Sequence, residues 1–228
     1  ILLLCMSIIK VLNQFYIFFI ILLGNFCFAQ SSELKGWSSL EYGFEINESL
    51  KIDLSQHFRL KEDLNVVDTY ITESEISYEP INDLKLLGQL RYYSRNDNFG
   101  GIQGFENMMR YRFGIEKKLS SNKLNFELRV AYQNRFSLDR ENRFKKRIRI
   151  RPLIELKMID WTNNPKIYFE YFDEIKGNEQ KVYRYGISQK INTNKSKSIT
   201  LRYLYQKYIE RYSSNYSANI ISVKYSFN

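Results

Sequence analysis

Residues 50–61 read Leu-Lys-Ile-Asp-Leu-Ser-Gln-His-Phe-Arg-Leu-Lys, and this stretch decides the fold class. Apolar and polar side chains alternate along it, with Gln56 as the one polar residue in the apolar phase. Successive side chains of a β-strand point to opposite faces of the sheet, so this period of two predicts a strand with one apolar and one charged face. The apolar phase holds Leu50, Ile52, Leu54, Phe58 and Leu60, and the polar phase holds Lys51, Asp53, Ser55, His57, Arg59 and Lys61.

The same alternation recurs along the rest of the chain. It is clearest at 107–116, 124–133, 147–157 and 219–227, and weaker at 37–46, 68–79, 84–95, 166–175, 181–191 and 198–209. Short polar connections rich in Asn, Ser and Asp separate these segments, which is the chemistry of hairpin turns. The sequence therefore predicts an all-β protein, an antiparallel up-and-down meander of eleven strand-like segments.

Strand length and number favour a transmembrane β-barrel over a soluble one. A tilted strand needs about 9 to 11 residues to cross a bilayer, as these segments provide, whereas strands of globular proteins usually have about 5 or 6. More than about eight strands would also make an interior too wide for side chains to fill. The charged phase is therefore expected to face a hydrated lumen, and the apolar phase to face lipid.

Aromatic residues and the parity of the strands refine this prediction. Bacterial single-chain barrels have even strand numbers, so within a range of 10 to 12 strands we expect either ten, without 37–46, or twelve, with one segment divided. Tyr and Trp near strand ends predict two aromatic girdles at the membrane interfaces. The residues expected in the girdles are Trp37, Tyr70, Tyr78, Tyr92, Tyr132, Tyr168, Tyr203 and Tyr225.

The N-terminal segment predicts export from the cytoplasm. Lys10 precedes an apolar run from Phe15 to Leu23, and cleavage after Ala29 would make residues 1–29 a signal peptide and residues 30–228 the mature barrel. A membrane anchor helix is the alternative, but the run is shorter than the roughly 20 residues that spanning needs. A lipoprotein would need a small residue before Cys27, where Phe26 stands. We expect the cell outer membrane of a Gram-negative bacterium as the location.

Twelve charged residues in the inward phase form the candidate site. They predict either a solvated network of ion pairs that stiffens the lumen, which is the favoured interpretation, or a path for anions or a basic site for a phosphorylated or acidic ligand. The formal net charge of +9 agrees with both. The twelve are Arg110, Arg112, Glu116, Glu127, Arg129, Arg147, Arg149, Arg151, Glu155, Glu170, Arg184 and Arg202.

The sequence gives little support for a catalytic site, a bound cofactor or nucleic-acid binding. His57 is the only histidine, and it stands in line with Ser55 and Asp53 on one strand, where residues two apart are about 7 Å apart. Cys5 and Cys27 both lie in the predicted leader, so we expect no disulfide, metal site or cofactor in the mature chain. The basic residues are spread over the strands rather than gathered in a patch, which argues against nucleic-acid binding.

The order of short motifs resembles an uncharacterised outer-membrane β-barrel family, a domain of unknown function of the DUF2490 type. The matching pieces are Trp37, Arg110 and Arg112, Glu127-Leu128-Arg129, the alternating arginines from Arg147 to Arg151, Glu170, and Arg184-Tyr185-Gly186. The end of the chain, from Val223 to Phe227 and followed by Asn228, is similar to the aromatic signature by which the barrel-assembly machinery recognises its clients. The resemblance implies outer-membrane lipids and that machinery as partners, and it leaves the ligand unknown.

The functional prediction is correspondingly broad. We expect a small outer-membrane barrel that is either a narrow, anion-favouring passage or a structural or adaptor protein, and not an enzyme. The alternative is an envelope- or lipid-modifying outer-membrane enzyme that uses His57.

Overall fold

The computed structural model describes residues 32–98, 103–141, 143–158, 163–176, 180–194, 196–209 and 216–227. The predicted leader, residues 1–29, lies outside the described residues, as does Gln30 at the predicted mature terminus. No helix in the described ranges is long and apolar enough to cross a membrane.

Eleven β-strands follow one another along the described residues and close into a barrel. They are β1 (Ser32–Asn47), β2 (Leu50–Lys61), β3 (Val66–Ile81), β4 (Leu84–Asp97), β5 (Gly104–Ser120), β6 (Leu124–Ser137), β7 (Phe144–Leu156), β8 (Pro165–Lys176), β9 (Lys181–Asn192), β10 (Lys197–Ile209) and β11 (Tyr216–Phe227). Each strand pairs antiparallel with the next strand along the chain, from β1 with β2 to β10 with β11. The predicted all-β, up-and-down barrel is confirmed.

The barrel closes between β1 and β11, and this seam is parallel. Directions alternate along the meander, so the two odd-numbered strands run the same way. The contacts between β1 and β11 agree with parallel strands. Trp37 packs against the cluster that holds Ile220, and four residues further along both strands Lys224 Nζ lies 2.7 Å from Glu41 Oε1. The expectation of an even number is therefore wrong, although the eleven strands of the described residues fall within the predicted range. Parallel closure lets an odd number of strands form a barrel. As a result, the start of β1 and the end of β11 lie at opposite ends of the barrel.

The outer face of the barrel is a continuous apolar surface. Large side chains from every part of the sheet are exposed there, including Phe113 at 61% and Leu40 at 56%. A surface of this kind would be insoluble in water and suits a hydrocarbon environment. The apolar phase of the sequence thus covers the outside, as a transmembrane barrel requires. Its members include Leu54, Leu86, Leu90, Ile115, Leu128, Val130, Ile148, Ile150, Ile154, Ile167, Ile221 and Val223.

Two of the aromatic residues predicted for the girdles lie inside the barrel instead. Tyr168 is 8% exposed and belongs to an interior cluster with Leu153, Leu204, Ala218 and Ile220, against which Trp37 packs. The girdle assignment is wrong for these two, because each shares the inward phase of its strand. Tyr70, Tyr78 and Tyr92 are exposed on the outer face.

A glycine makes room for the interior aromatic cluster. A Cβ atom on Gly186 would lie 2.7 Å from Leu204 Cδ2 and 2.8 Å from Tyr168 Cε1, which is closer than non-bonded carbons approach. Gly186 and Tyr168 face each other directly in the β8 and β9 pairing. The absent side chain therefore lets the tyrosine ring lie against the barrel wall.

Replacing Gly186 by Ala is expected to destabilise the barrel by about 1 to 3 kcal/mol, the usual cost of overpacking a filled interior. Gly88→Ala is the control, since a Cβ there would meet Ile76 Cγ2 alone, at 3.0 Å. Reversible urea unfolding in lipid vesicles measures both free energies. Equal losses of stability in the two variants would contradict the packing role of Gly186.

Candidate functional site

The lumen of the barrel is a polar cavity of about 1250 Å³. Its walls are formed by the inward phase of the strands, and eighteen Lys and Arg side chains line it against eight Asp and Glu. Charged walls of one prevailing sign create a strong field in a narrow, low-dielectric enclosure. The lumen is therefore strongly cationic, with histidine counted as neutral.

Part of this charge is compensated by an ion-pair cluster on β5, β6 and β7. The Arg129 guanidinium binds Glu116, and Arg151 binds Glu127 and has Nη2 3.7 Å from Glu116 Oε2. Glu116 is only 3% exposed, so two arginines stabilise a carboxylate that is almost completely removed from solvent. These four residues form one connected network across three strands.

A second network surrounds Glu170 on β8. This carboxylate is 2% exposed and accepts hydrogen bonds from Arg149 on β7 and from Arg184 on β9, the latter at 2.7 Å. Arg184 Nε also donates to Gln206 Oε1 on β10 at 2.7 Å. Four neighbouring strands are thus tied together through one buried carboxylate.

A third network lies on β3, β4 and β5. Glu73 binds Arg91 and has Oε2 3.9 Å from Arg110 Nη2, while Glu75 accepts a hydrogen bond of 2.5 Å from Arg112 Nη2. Bidentate and charge-assisted contacts of this kind fix the planar guanidinium groups in place. The predicted residues Arg110 and Arg112 therefore belong to a different wall from the other predicted arginines.

Three predicted residues stand apart from these networks. Arg147 donates to Gln180, and Arg202 lies over the Tyr168 ring with Cζ 5.8 Å from its centre. Glu155 is near one end of β7, where Oε2 lies 3.5 Å from Lys166 Nζ. The structure thus places nine of the twelve predicted residues in three ion-pair networks and leaves Arg147, Arg202 and Glu155 outside them.

Comparison with known proteins identifies the family. The sequence model of the family described as "Protein of unknown function (DUF2490)" matches residues 34–216, which include all twelve predicted lumen residues. The chain belongs to the DUF2490 family. This membership confirms the resemblance drawn from the sequence motifs.

Among solved structures, the DUF2490 chain is similar to a porin. A solved anion-selective porin from Comamonas acidovorans is similar to it with a TM-score of 0.40 and 9% identity, over 80% of this chain and 54% of the porin. The DUF2490 chain therefore spans about half the length of that porin. No curated protein matches the chain.

His57 of the DUF2490 chain faces the lumen with no hydrogen-bond partner among the described residues. Its Nε2 is buried and lies 3.9 Å from Glu73 Oε1, but that carboxylate is bound by Arg91. Ser39 is directly opposite on β1, and no hydrogen bond joins its hydroxyl to the imidazole in the described part of the chain. A general base needs such a contact to activate a hydroxyl, so this geometry gives His57 no specific support as a catalytic base.

Several lumen residues of the DUF2490 barrel lie outside the twelve residues predicted for the site. Arg59 and Arg91 line the cavity, and the amides of Gln89 and Gln206 accept hydrogen bonds from Arg110 and Arg184. The signal that could have found them is their phase, which they share with the predicted residues of the same sheet. In the described residues, no group of three or more His, Cys, Asp or Glu side chains could hold a metal ion.

Proposed function

We propose that this protein lies in the outer membrane of a Gram-negative bacterium and that its lumen is a narrow passage that favours anions. The observation that carries the proposal is the charge of the cavity wall, where basic side chains outnumber acidic ones by eighteen to eight. A pore lined by an excess of arginine and lysine attracts anions and repels cations. The apolar outer face and the signal peptide predicted from the sequence support the location.

The volume of the cavity supports a narrow passage. An outer-membrane barrel has an apolar band roughly 25 Å tall, and a cavity of about 1250 Å³ is small for a lumen of that height. Porins with 16 to 18 strands are much wider and leave an open aqueous channel. The small volume results from the long arginine side chains that ion-pair networks hold inside the barrel.

In planar lipid bilayers the purified full chain is expected to give little steady conductance, and the current that flows should be carried by anions. In a KCl gradient the reversal potential would then lie toward that of chloride. A large, cation-selective conductance would contradict the proposal. Complete absence of current, with the barrel shown to be folded by its altered gel migration before boiling, would favour the structural or adaptor role.

Neutralising one wall of the lumen should weaken the preference for anions. Arg147, Arg149 and Arg151 follow one another on β7 and all line the cavity, so R147Q/R149Q/R151Q removes three adjacent positive charges. The matched control is K117Q/K197Q/K207Q, which removes three exposed lysines from the other phase of their strands. An equal shift of the reversal potential in both triple variants would show that net charge, and not the lumen wall, sets the selectivity.

A further inference from the structure

Four arginines converge in the half of the lumen next to the turns that follow β2, β4 and β6. Arg91 and Arg110 each have Cζ 5.6 Å from the centre of the Tyr93 ring, and Arg91 Nη1 lies 3.4 Å from the Tyr93 hydroxyl. Arg59 and Arg135 are also electrostatic neighbours of Tyr93. We refer to Arg59, Arg91, Arg110 and Arg135 as the arginine cluster, and all four line the cavity.

The arginine cluster carries more positive charge than the protein compensates. Glu73 is the carboxylate that contacts it, bound to Arg91 and 3.9 Å from Arg110. Neither Arg59 nor Arg135 forms an ion pair with a carboxylate of the described residues. Like charges held together away from bulk water are costly unless an anion joins them. Four guanidinium groups face Glu73 and, at Arg59, the electrostatic neighbour Asp68, and this excess of positive charge favours a bound anion with more than one negative charge.

Hydrogen-bond donors in this part of the lumen are also left without protein acceptors. Arg59 Nε, Arg110 Nε and the indole Nε1 of Trp37 are buried and have no partner in the described part of the chain. The Arg59 guanidinium lies 4.0 Å from the centre of the Trp37 ring, which fixes its plane. A guanidinium held in this way presents parallel N–H groups to an oxyanion, and a halide cannot use that geometry equally well.

We propose that the arginine cluster is a binding site for a compact, multivalent oxyanion, namely phosphate or the phosphate group of an ester, along the passage. The inference rests on the proposed function, because it names the class of anion that the passage takes. Arg59 and Arg135, neither of which is bound to a carboxylate, supply positive charge, Arg110 and Trp37 supply further donors, and the Tyr93 ring lies beside the Arg91 and Arg110 guanidinium groups. Glu73 holds Arg91 in place and limits the charge available to the ligand.

Binding can be measured on the full chain in detergent with Trp37 as the reporter. Trp161→Phe leaves Trp37 as the sole tryptophan, and its emission should change when an oxyanion binds to Arg59 beside the ring. The probes are inorganic phosphate, glucose 6-phosphate, succinate and chloride, with calorimetry as the second readout. Inorganic phosphate is expected to bind more tightly than succinate and chloride, and binding of glucose 6-phosphate would extend the site to esters. Tighter binding of succinate than of either phosphate compound would overturn the assigned class.

The variant R59Q/R135Q tests the site itself. It is expected to weaken phosphate binding at least ten-fold, whereas K117Q/K207Q, which removes two exposed lysines from the other strand phase, should change it less than two-fold. Because neither arginine is bound to a carboxylate, the two substitutions leave no carboxylate without its ion-pair partner. R59K, which retains the charge but loses the planar fork, should give an intermediate loss.

The results of these experiments test the oxyanion site and the anion-favouring passage separately. If phosphate does not bind, or if R59Q/R135Q and K117Q/K207Q weaken it equally, the site is wrong even where the bilayer currents remain anion-selective. If phosphate binds and R59Q/R135Q removes the binding, but no current flows, the site stands as a binding site and the passage is wrong.

Discussion

Replacing Glu170 by Ala should destabilise the barrel by about 3 to 5 kcal/mol, which is the usual loss when one partner of a buried ion pair is removed. Glu170 is 2% exposed and binds both Arg149 and Arg184. Without it, two guanidinium groups remain in the lumen wall with no carboxylate between them. The free energy of unfolding, measured by reversible urea titration in lipid vesicles, gives the size of the effect.

Two comparisons make this test specific. Glu170→Gln retains the volume and loses the charge, so it should cost nearly as much as the alanine. Glu155→Gln removes a carboxylate near the end of β7 whose nearest Lys166 nitrogen is 3.5 Å away, and such partly exposed pairs contribute about 1 kcal/mol or less. If Glu170→Gln cost no more than Glu155→Gln, the buried network would not be a source of stability.

Introducing Arg at Ile150 is expected to destabilise the barrel by about 2 to 4 kcal/mol, the cost of a cation facing lipid near the bilayer midplane. Ile150 is the central residue of β7 and is 37% exposed on the outer face. Leu128, which is 38% exposed and nearer the start of β6, should show a smaller loss with the same substitution. The decrease with distance from the midplane would itself be a sign of a lipid environment.

Arg129→Gln provides the comparison on the lumen side. Arg129 is adjacent to Leu128 in sequence but points inward, and Arg151 stays 3.7 Å from the Glu116 carboxylate after the substitution. Its cost should therefore be clearly below that of Ile150→Arg. Equal losses in refolding experiments in vesicles would mean that the apolar face is not in contact with lipid.

The strands and their faces could be predicted because the period of two is a local property of the sequence. Every residue of the alternating run Arg147 to Arg151 keeps its predicted side in the structure, with the arginines in the lumen and Ile148 and Ile150 exposed outside. The two wrong girdle assignments were made from residue type, and they disregarded the side of the strand on which each residue lies. Trp37 shares its phase with Glu41, and Tyr168 shares its phase with Glu170, so alternation alone would have placed both rings inside.

The partners within the lumen could not be predicted because they depend on register. Glu170 lies opposite Arg184 in the β8 and β9 pairing, and it reaches Arg149 from the other neighbouring strand. A shift of two residues in either pairing would keep every face and exchange every partner. The arginine cluster has the same origin, since it joins residues from β2, β4, β5 and β6 that no local pattern connects.

The parallel seam has a consequence for the order of assembly. All other strand pairs join neighbours in sequence and can form one hairpin at a time, whereas the contact of Glu41 with Lys224 spans 183 positions. Closing so long a loop costs entropy that short-range contacts cannot offset in advance. Until it closes, β1 and β11 both present unpaired backbone groups, which hydrocarbon does not satisfy. We therefore expect the seam to form last, and the two edge strands to need a covering partner until they meet.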